Sequence, residues 1–132
     1  MKILNFIIIF VTIFLSGCGC DECFAQELIA SYYSTSSLIK EGTWKNGERM
    51  MANGRQFSDY GLTAACNSFP LGTKVRVTNP VTKAYVCVSI TDRTAKMFKG
   101  KRIDLSKRAM FVLGGQWAID KGLIKVDVEK IN

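Results

Sequence analysis

Lys74-Val75-Arg76-Val77-Thr78, closed by Asn79-Pro80 and followed by Tyr85-Val86-Cys87-Val88-Ser89-Ile90, is the stretch that decides the fold class. Strict alternation of apolar and polar residues is the period of a half-buried strand, because successive side chains leave a strand on opposite faces. Val75 and Val77 therefore share one face. Val86, Val88 and Ile90 share another, opposite Tyr85, Cys87 and Ser89. Leu123 to Glu129 repeats the pattern at the end of the chain, and Leu28-Ile29-Ala30-Ser31-Tyr32-Tyr33 reads as a first strand. Between these runs, Ser34 to Gly54 reads as a polar loop, long enough to line a site or drape over the core. Gly61 to Cys66 reads as one short helical turn before Pro70 and Gly72 introduce the alternating pair. Ile103 to Leu113 changes period: Asp104 or Ser106 would cap a helix with Leu105, Ala109, Val112 and Leu113 as its apolar stripe, and Gly114-Gly115 would stop it. Several short strands, one helix and no internal repeat predict a mainly β protein, a small closed or nearly closed barrel.

The rest of the composition narrows the chemistry. The chain has 132 residues, room for one domain and one core. Eighteen Lys and Arg stand against 11 Asp and Glu, a formal charge of +7, and there is no His. That absence excludes a Ser-His-Asp triad, a Cys-His pair and any His-ligated metal site, so chemistry must rest on carboxylates, thiols or backbone. No metal site and no cofactor are expected.

Residues 1–17 read as a secretory signal peptide: Lys2, an apolar run from Phe6 to Leu15, then small residues. The apolar run is about half of the roughly 20 residues that span a bilayer. Leu15-Ser16-Gly17-Cys18 resembles a bacterial lipobox, which would leave Cys18 lipidated at the head of a tether, residues 18–27, ahead of a domain at 28–130. The protein would then be an exported lipoprotein facing the cell wall. Cleavage after Ala25 would instead release a soluble protein. Either route leads out of the cytoplasm.

Five cysteines are an odd number, and a lipidated Cys18 would leave four in an oxidising compartment. Cys66 and Cys87 are the expected disulfide, closing a loop of about 20 residues worth about 3 kcal/mol on the chain-entropy model. Two unpaired core thiols are the alternative, with a zinc site a weaker one. Cys20 and Cys23 form a C-x-x-C with no pattern around it to hold a redox pair.

The order of several short pieces carries a resemblance. Ala30-Ser31-Tyr32-Tyr33, Ala52-Asn53-Gly54, Leu62-Thr63-Ala64-Ala65, Leu71 to Asn79, Asp92-Arg93 and Ile103-Asp104-Leu105-Ser106 resemble the succession in the rare lipoprotein A family of septal peptidoglycan lytic transglycosylases. The match runs from Ile29 to Val128. It implies a six-stranded double-psi β-barrel with short helices, related to that of expansins. The resemblance also implies a site. The family's catalytic Asp falls on Asp92, and its His falls on Cys66; Thr91, Thr94, Ala95, Met51 and Arg55 replace other usual residues. Asp92 would protonate the glycosidic oxygen, and closure of the muramyl sugar on its own hydroxyl would need no second carboxylate. Tyr33 and Asn53 are assigned to substrate contact, Arg93 and Lys101 to a peptide or lactyl carboxylate. Asp104 is expected as a structural carboxylate that caps the helix and ties the barrel together. Without the resemblance, Asp92 beside Arg93 reads equally as a surface ion pair or an Asx turn.

The expected activity is lytic transglycosylation of peptidoglycan with 1,6-anhydromuramyl ends. The alternative is a noncatalytic module that binds or loosens the wall, as in expansins, or an inhibitor built on the same barrel. Lys96, Lys99, Lys101, Arg102, Lys107 and Arg108 form a basic run suited to anionic wall polymers or lipid headgroups, or to a plain solvated face. Nucleic acid is not an expected partner, since the leader exports the chain and no nucleic-acid motif is present. A monomer is expected.

Overall fold

The alternating runs do close on themselves. A computed structural model describes residues 25–42 and 49–131. Six strands, β1 (Gln26–Tyr33), β2 (Thr63–Ala65), β3 (Lys74–Thr78), β4 (Tyr85–Asp92), β5 (Arg102–Ser106) and β6 (Ile124–Lys130), form a closed barrel in the order β1-β5-β2-β4-β3-β6. Pairs β1/β5 and β2/β4 are parallel and the other four antiparallel. Closure removes both edges of the sheet, so every strand finds backbone partners on two sides. The stretch read as a signal peptide, with Cys18, Cys20 and Cys23, lies outside the described residues. β1 begins at Gln26, inside the stretch read as tether.

Alternation builds the core. Leu28 and Ala30, Val75 and Val77, Val86, Val88 and Ile90, Ile103 and Leu105, and Ile124, Val126 and Val128 all point inward and are buried. Each fully buried Val, Leu or Ile contributes about 1.5–3 kcal/mol of transfer free energy, which holds the strand register, since a one-residue slip would turn the whole set outward. Helix α2 (Lys107–Lys121) covers one side of the barrel through Ala109, Met110, Leu113 and Ala118.

Local readings differ from the structure in four places. Gly61 to Cys66 is not a helical turn: Thr63–Ala65 is strand β2, held between β4 and β5. The Ser34–Gly54 stretch contains a short helix, α1 (Thr35–Lys40), closed at its start by Ser34 and Ser37 in a reciprocal capping box. Ile103 to Ser106 is strand β5 rather than the first turn of a helix, because its alternate residues Ile103 and Leu105 fill the barrel. Gly114-Gly115 interrupts α2 without ending it. Gly115 sits at φ 63°, and a Cβ at Gly114 would lie 2.7 Å from the Ala118 Cβ, so both glycines are needed for the chain to bend there and resume.

The expected Cys66–Cys87 disulfide does not form. Cys66 is a buried free thiol and Cys87 an exposed one. The reason is the alternation itself: Cys87 lies on the outer face of β4 opposite Arg76, whereas Cys66 follows β2 and packs in the core.

Candidate functional site

A break in the β2/β4 register makes the site. Thr63 pairs with Ser89 and Ala64 with Ile90, but Ala65 pairs with Asp92, so Thr91 is skipped as a bulge. Three successive residues, Ile90, Thr91 and Asp92, are buried as a result. On its other side Ala65 pairs with Asp104 of β5. Directly paired residues point to the same face, so Asp92 and Asp104 rise on either side of a methyl group, with their backbones about 10 Å apart by strand spacing. The small floor residue leaves an open cleft of about 320 Å³ between the carboxylates, walled by Ser31, Tyr33, Leu38, Arg49, Arg93 and Arg102 among others.

Asp92 is engaged at both oxygens. Oδ2 accepts from the Arg49 guanidinium at 2.7 Å, and Oδ1 accepts from the backbone N–H groups of Ala52 at 3.0 Å and Arg93 at 2.9 Å. The side chain is only 8% exposed. Ala52 offers its N–H because its turn is pinned to the bulge: Asn53 N–H donates to the Thr91 carbonyl, and Gly54, at φ 86°, returns its N–H to Met51. Charge-assisted bonds of this kind are worth about 1.5–3 kcal/mol each. The Asn53 side chain itself is exposed, accepts from Arg55 N–H, and lines a separate groove with Thr63 and Ser89.

Asp104 belongs to a second group. Arg102 donates to Ser31 Oγ at 2.7 Å, and Ser31 Oγ in turn donates to Asp104 Oδ1. Ser31 and Asp104 are register partners across β1/β5. The Arg102 guanidinium lies 4.5 Å from the centre of the Phe98 ring. Asp104 does not cap α2; Ser106 does, accepting from Ala109 N–H at 3.2 Å. Alternation explains the division, since Asp104 and Ser106 lie on one face of β5 but only Ser106 stands at the strand-to-helix junction.

Tyr33 forms the back wall. Its ring packs 4.6 Å from that of Phe57, in a small cluster with Leu38 and Met51. Its hydroxyl is buried and has no hydrogen-bond partner. Burial pushes the phenol pKa up, the Asp92 and Asp104 charges push it further, and Arg49 partly offsets them. Thr94 Oγ1 and Arg102 Nε, also at this cleft, are likewise buried without a partner. Unsatisfied buried polar atoms are costly, and these three all belong to residues that line one cleft.

The remaining predicted residues divide. Arg93 reaches the cleft wall, but its Nη1 donates to the carbonyls of Cys66, at 2.6 Å, and Phe69. Lys101 is exposed and absent from the cleft lining; its carbonyl serves Ile29 N–H. Cys66 is fully buried behind the floor, its thiol 3.6 Å from the Arg102 carbonyl and not at the cleft. Arg49, Ser31 and Arg102 were not singled out from the sequence as site residues. Only the spacing of Ser31 one residue before Tyr32-Tyr33 and of Arg102 two before Asp104 hinted at shared faces; nothing in Gly47-Glu48-Arg49 did. Among the described residues no cluster of Cys, Asp and Glu could hold a metal ion.

Comparison with known proteins bears on this geometry. A family model described as lytic transglycolase matches residues 25–128. A protein named probable endolytic peptidoglycan transglycosylase RlpA, from Nostoc sp., is 37% identical over 105 residues, covering 80% of this chain and 27% of its own length. The endolytic peptidoglycan transglycosylase RlpA of Rickettsia felis is 31% identical over 105 residues, covering 74% of this chain and 44% of its own. The chain thus spans less than half the length of these curated relatives. Among solved structures, a Streptomyces papain inhibitor superposes with a TM-score of 0.58 at 18% identity, over 85% of this chain and all of its own, which shows the shared barrel fold.

Proposed function

The chain belongs to the lytic transglycolase family of double-psi β-barrels, and on that premise we propose that it cleaves peptidoglycan glycan strands with Asp92 as the acid. The observation that carries this reading is the placement of Asp92: a nearly buried carboxylate, raised into a cleft by a bulge, with its oxygens aimed by Arg49 and two backbone N–H groups. Asp92 Oδ2, whose one donor among the described residues is Arg49, is the oxygen that would carry the proton once substrate draws the guanidinium aside. Asp92 gives that proton to the glycosidic oxygen as the C1–O bond breaks. The muramyl 6-hydroxyl closes on C1, and its proton returns to Asp92, so no water and no second carboxylate take part. Export and lipidation at Cys18 complete the proposal, placing the barrel beside its polymer.

A noncatalytic, wall-binding reading is favoured by one observation: the residue at the family's His position, Cys66, is buried in the core rather than presented to the cleft. Incubation with intact and amidase-treated peptidoglycan decides between the two, with soluble products read by mass spectrometry beside an Asp92→Asn control. Release of 1,6-anhydromuramyl fragments by the wild type and not the variant supports catalysis. Saturable binding to sacculi without new anhydro ends supports the second reading.

A further inference from the structure

On a part of the barrel that shares no lining residue with the cleft, an apolar groove of about 460 Å³ opens between the β3–β4 turn and the junction of α2 with β6. Its walls are Pro80, Val81, Trp117 and Leu123, and its rim carries Lys121 and Lys125. Val81 is 87% exposed and Trp117 55%, high values for a β-branched and an indole side chain in a barrel with a well-filled core. No acidic residue lines the groove. Asp120, beside Lys121 in sequence, is held by Gln116. Lys83, at the far end of the turn, sits at φ 67° and adds a third cation nearby.

We propose that this face is a peripheral contact surface for an anionic lipid bilayer, with Trp117, Val81 and Leu123 entering the headgroup boundary and Lys121 and Lys125 meeting lipid phosphates. Exposed aromatic and aliphatic side chains flanked by two lysines match the layered chemistry of that boundary, apolar beneath and negatively charged above. The polar groups of the groove are spent on its own turn: Asn79 Oδ1 accepts from Val81 and Thr82 N–H, and Thr82 Oγ1 from Ala84 N–H. Little is left to bind sugar hydroxyls. A symmetric dimer through this face would bring two copies of Lys121 and Lys125 into one interface with no acidic lining residue to offset them, which disfavours a second copy as occupant. The net charge of +7 draws the whole molecule the same way.

Residues 25–132 contain every strand of the closed barrel and every core residue among the described ones, so this unit, without the apolar N-terminal stretch, is the one to test. With Trp44→Phe, Trp117 becomes the sole tryptophan. Vesicles of phosphatidylglycerol and phosphatidylcholine should pellet the protein at low salt, vesicles of phosphatidylcholine alone much less, and brominated lipid should quench Trp117. Lys121→Gln with Lys125→Gln should weaken binding on the order of tenfold or more, and Val81→Ser with Leu123→Ser should abolish quenching, each with an unchanged circular dichroism spectrum. Absence of binding to anionic vesicles overturns the proposal, as does binding that these substitutions leave intact. Loss of sacculus binding in the Val81→Ser, Leu123→Ser variant without any vesicle binding would make the groove a glycan platform, and concentration-dependent mass abolished by the same variant would make it a self-association face; either overturns it.

Discussion

Arg49 and Asp92, 43 residues apart in sequence, meet at 2.7 Å across the mouth of the barrel. The pair joins the segment after α1 to the bulged end of β4. It is the contact through which that segment aims the carboxylate.

Arg49→Ala should therefore destabilise the domain by about 1–3 kcal/mol, since it leaves a nearly buried carboxylate with two N–H donors and no cation. The melting temperature should fall by roughly 5–15 °C for a domain of this size. Asp92→Asn in the same chain should restore part of the loss, because the amide carries no charge to strand. A double-mutant cycle by thermal unfolding reads the coupling, and simple additivity would show that the pair contributes nothing.

Tyr33→Phe should be neutral or stabilising by up to about 1 kcal/mol, since it deletes a buried hydroxyl without a partner. Its pH dependence is the sharper readout. Burial and the Asp92 charge raise the folded phenol above the ordinary tyrosine value of 10.0. Below that value both states hold the proton and the contribution to stability is full; above it the unfolded chain releases the proton first, so stability falls as pH rises toward the folded value. Urea midpoints from pH 8 to 11 should decline more steeply for the wild type than for Tyr33→Phe.

The two barrel thiols should differ in reactivity. Cys87 should react with a disulfide reagent in the native protein, and Cys66 only after unfolding. Cys66→His should cost about 1–3 kcal/mol by overpacking a fully buried site, and should not raise release of anhydro fragments, because position 66 faces the core. A gain of activity in that variant would show that the imidazole can reach the cleft after all.

Ser31→Ala should cost about 1–2 kcal/mol, for it removes the hydroxyl that links Arg102 to Asp104 inside the wall. Asp104→Asn should cost a similar amount. The two together should cost clearly less than the sum, since they break one network. Chemical denaturation of the three variants tests this, and full additivity would separate the residues into independent contacts.

Much of the fold was legible because the strands that form the barrel wall alternate cleanly. β3, β4 and β6 carry Val and Ile at every second position, and the order of short motifs pointed to the family. Strand β2 was not legible: Thr63-Ala64-Ala65 is three residues long with weak β preference, and only its two neighbours make it a strand. The end of β5 runs straight into α2 at Ser106-Lys107, so the two periods merged in the sequence. Helix α1 begins with three hydroxyl residues and ends after six, too short for a helical period to declare itself.

The candidate site divides in the same way. Asp92, Tyr33, Arg93 and Asp104 could be named from the chain because their types and order carry a motif. Which oxygen meets which donor is set by register: the skipped Thr91 turns Asp92 into the cleft, parallel pairing sets Ser31 beside Asp104, and a turn pinned to the bulge brings Ala52 N–H to Asp92. The same alternation that made β4 readable carried Cys87 outward while Cys66 packed inward, so a disulfide plausible by loop length was closed off by direction. Sequence alone determined what is local and periodic, namely strand faces, apolar core and motif order. Tertiary structure decided what depends on neighbours far along the chain, because a side chain's partners across a barrel follow from pairing and bulges, which no single segment contains.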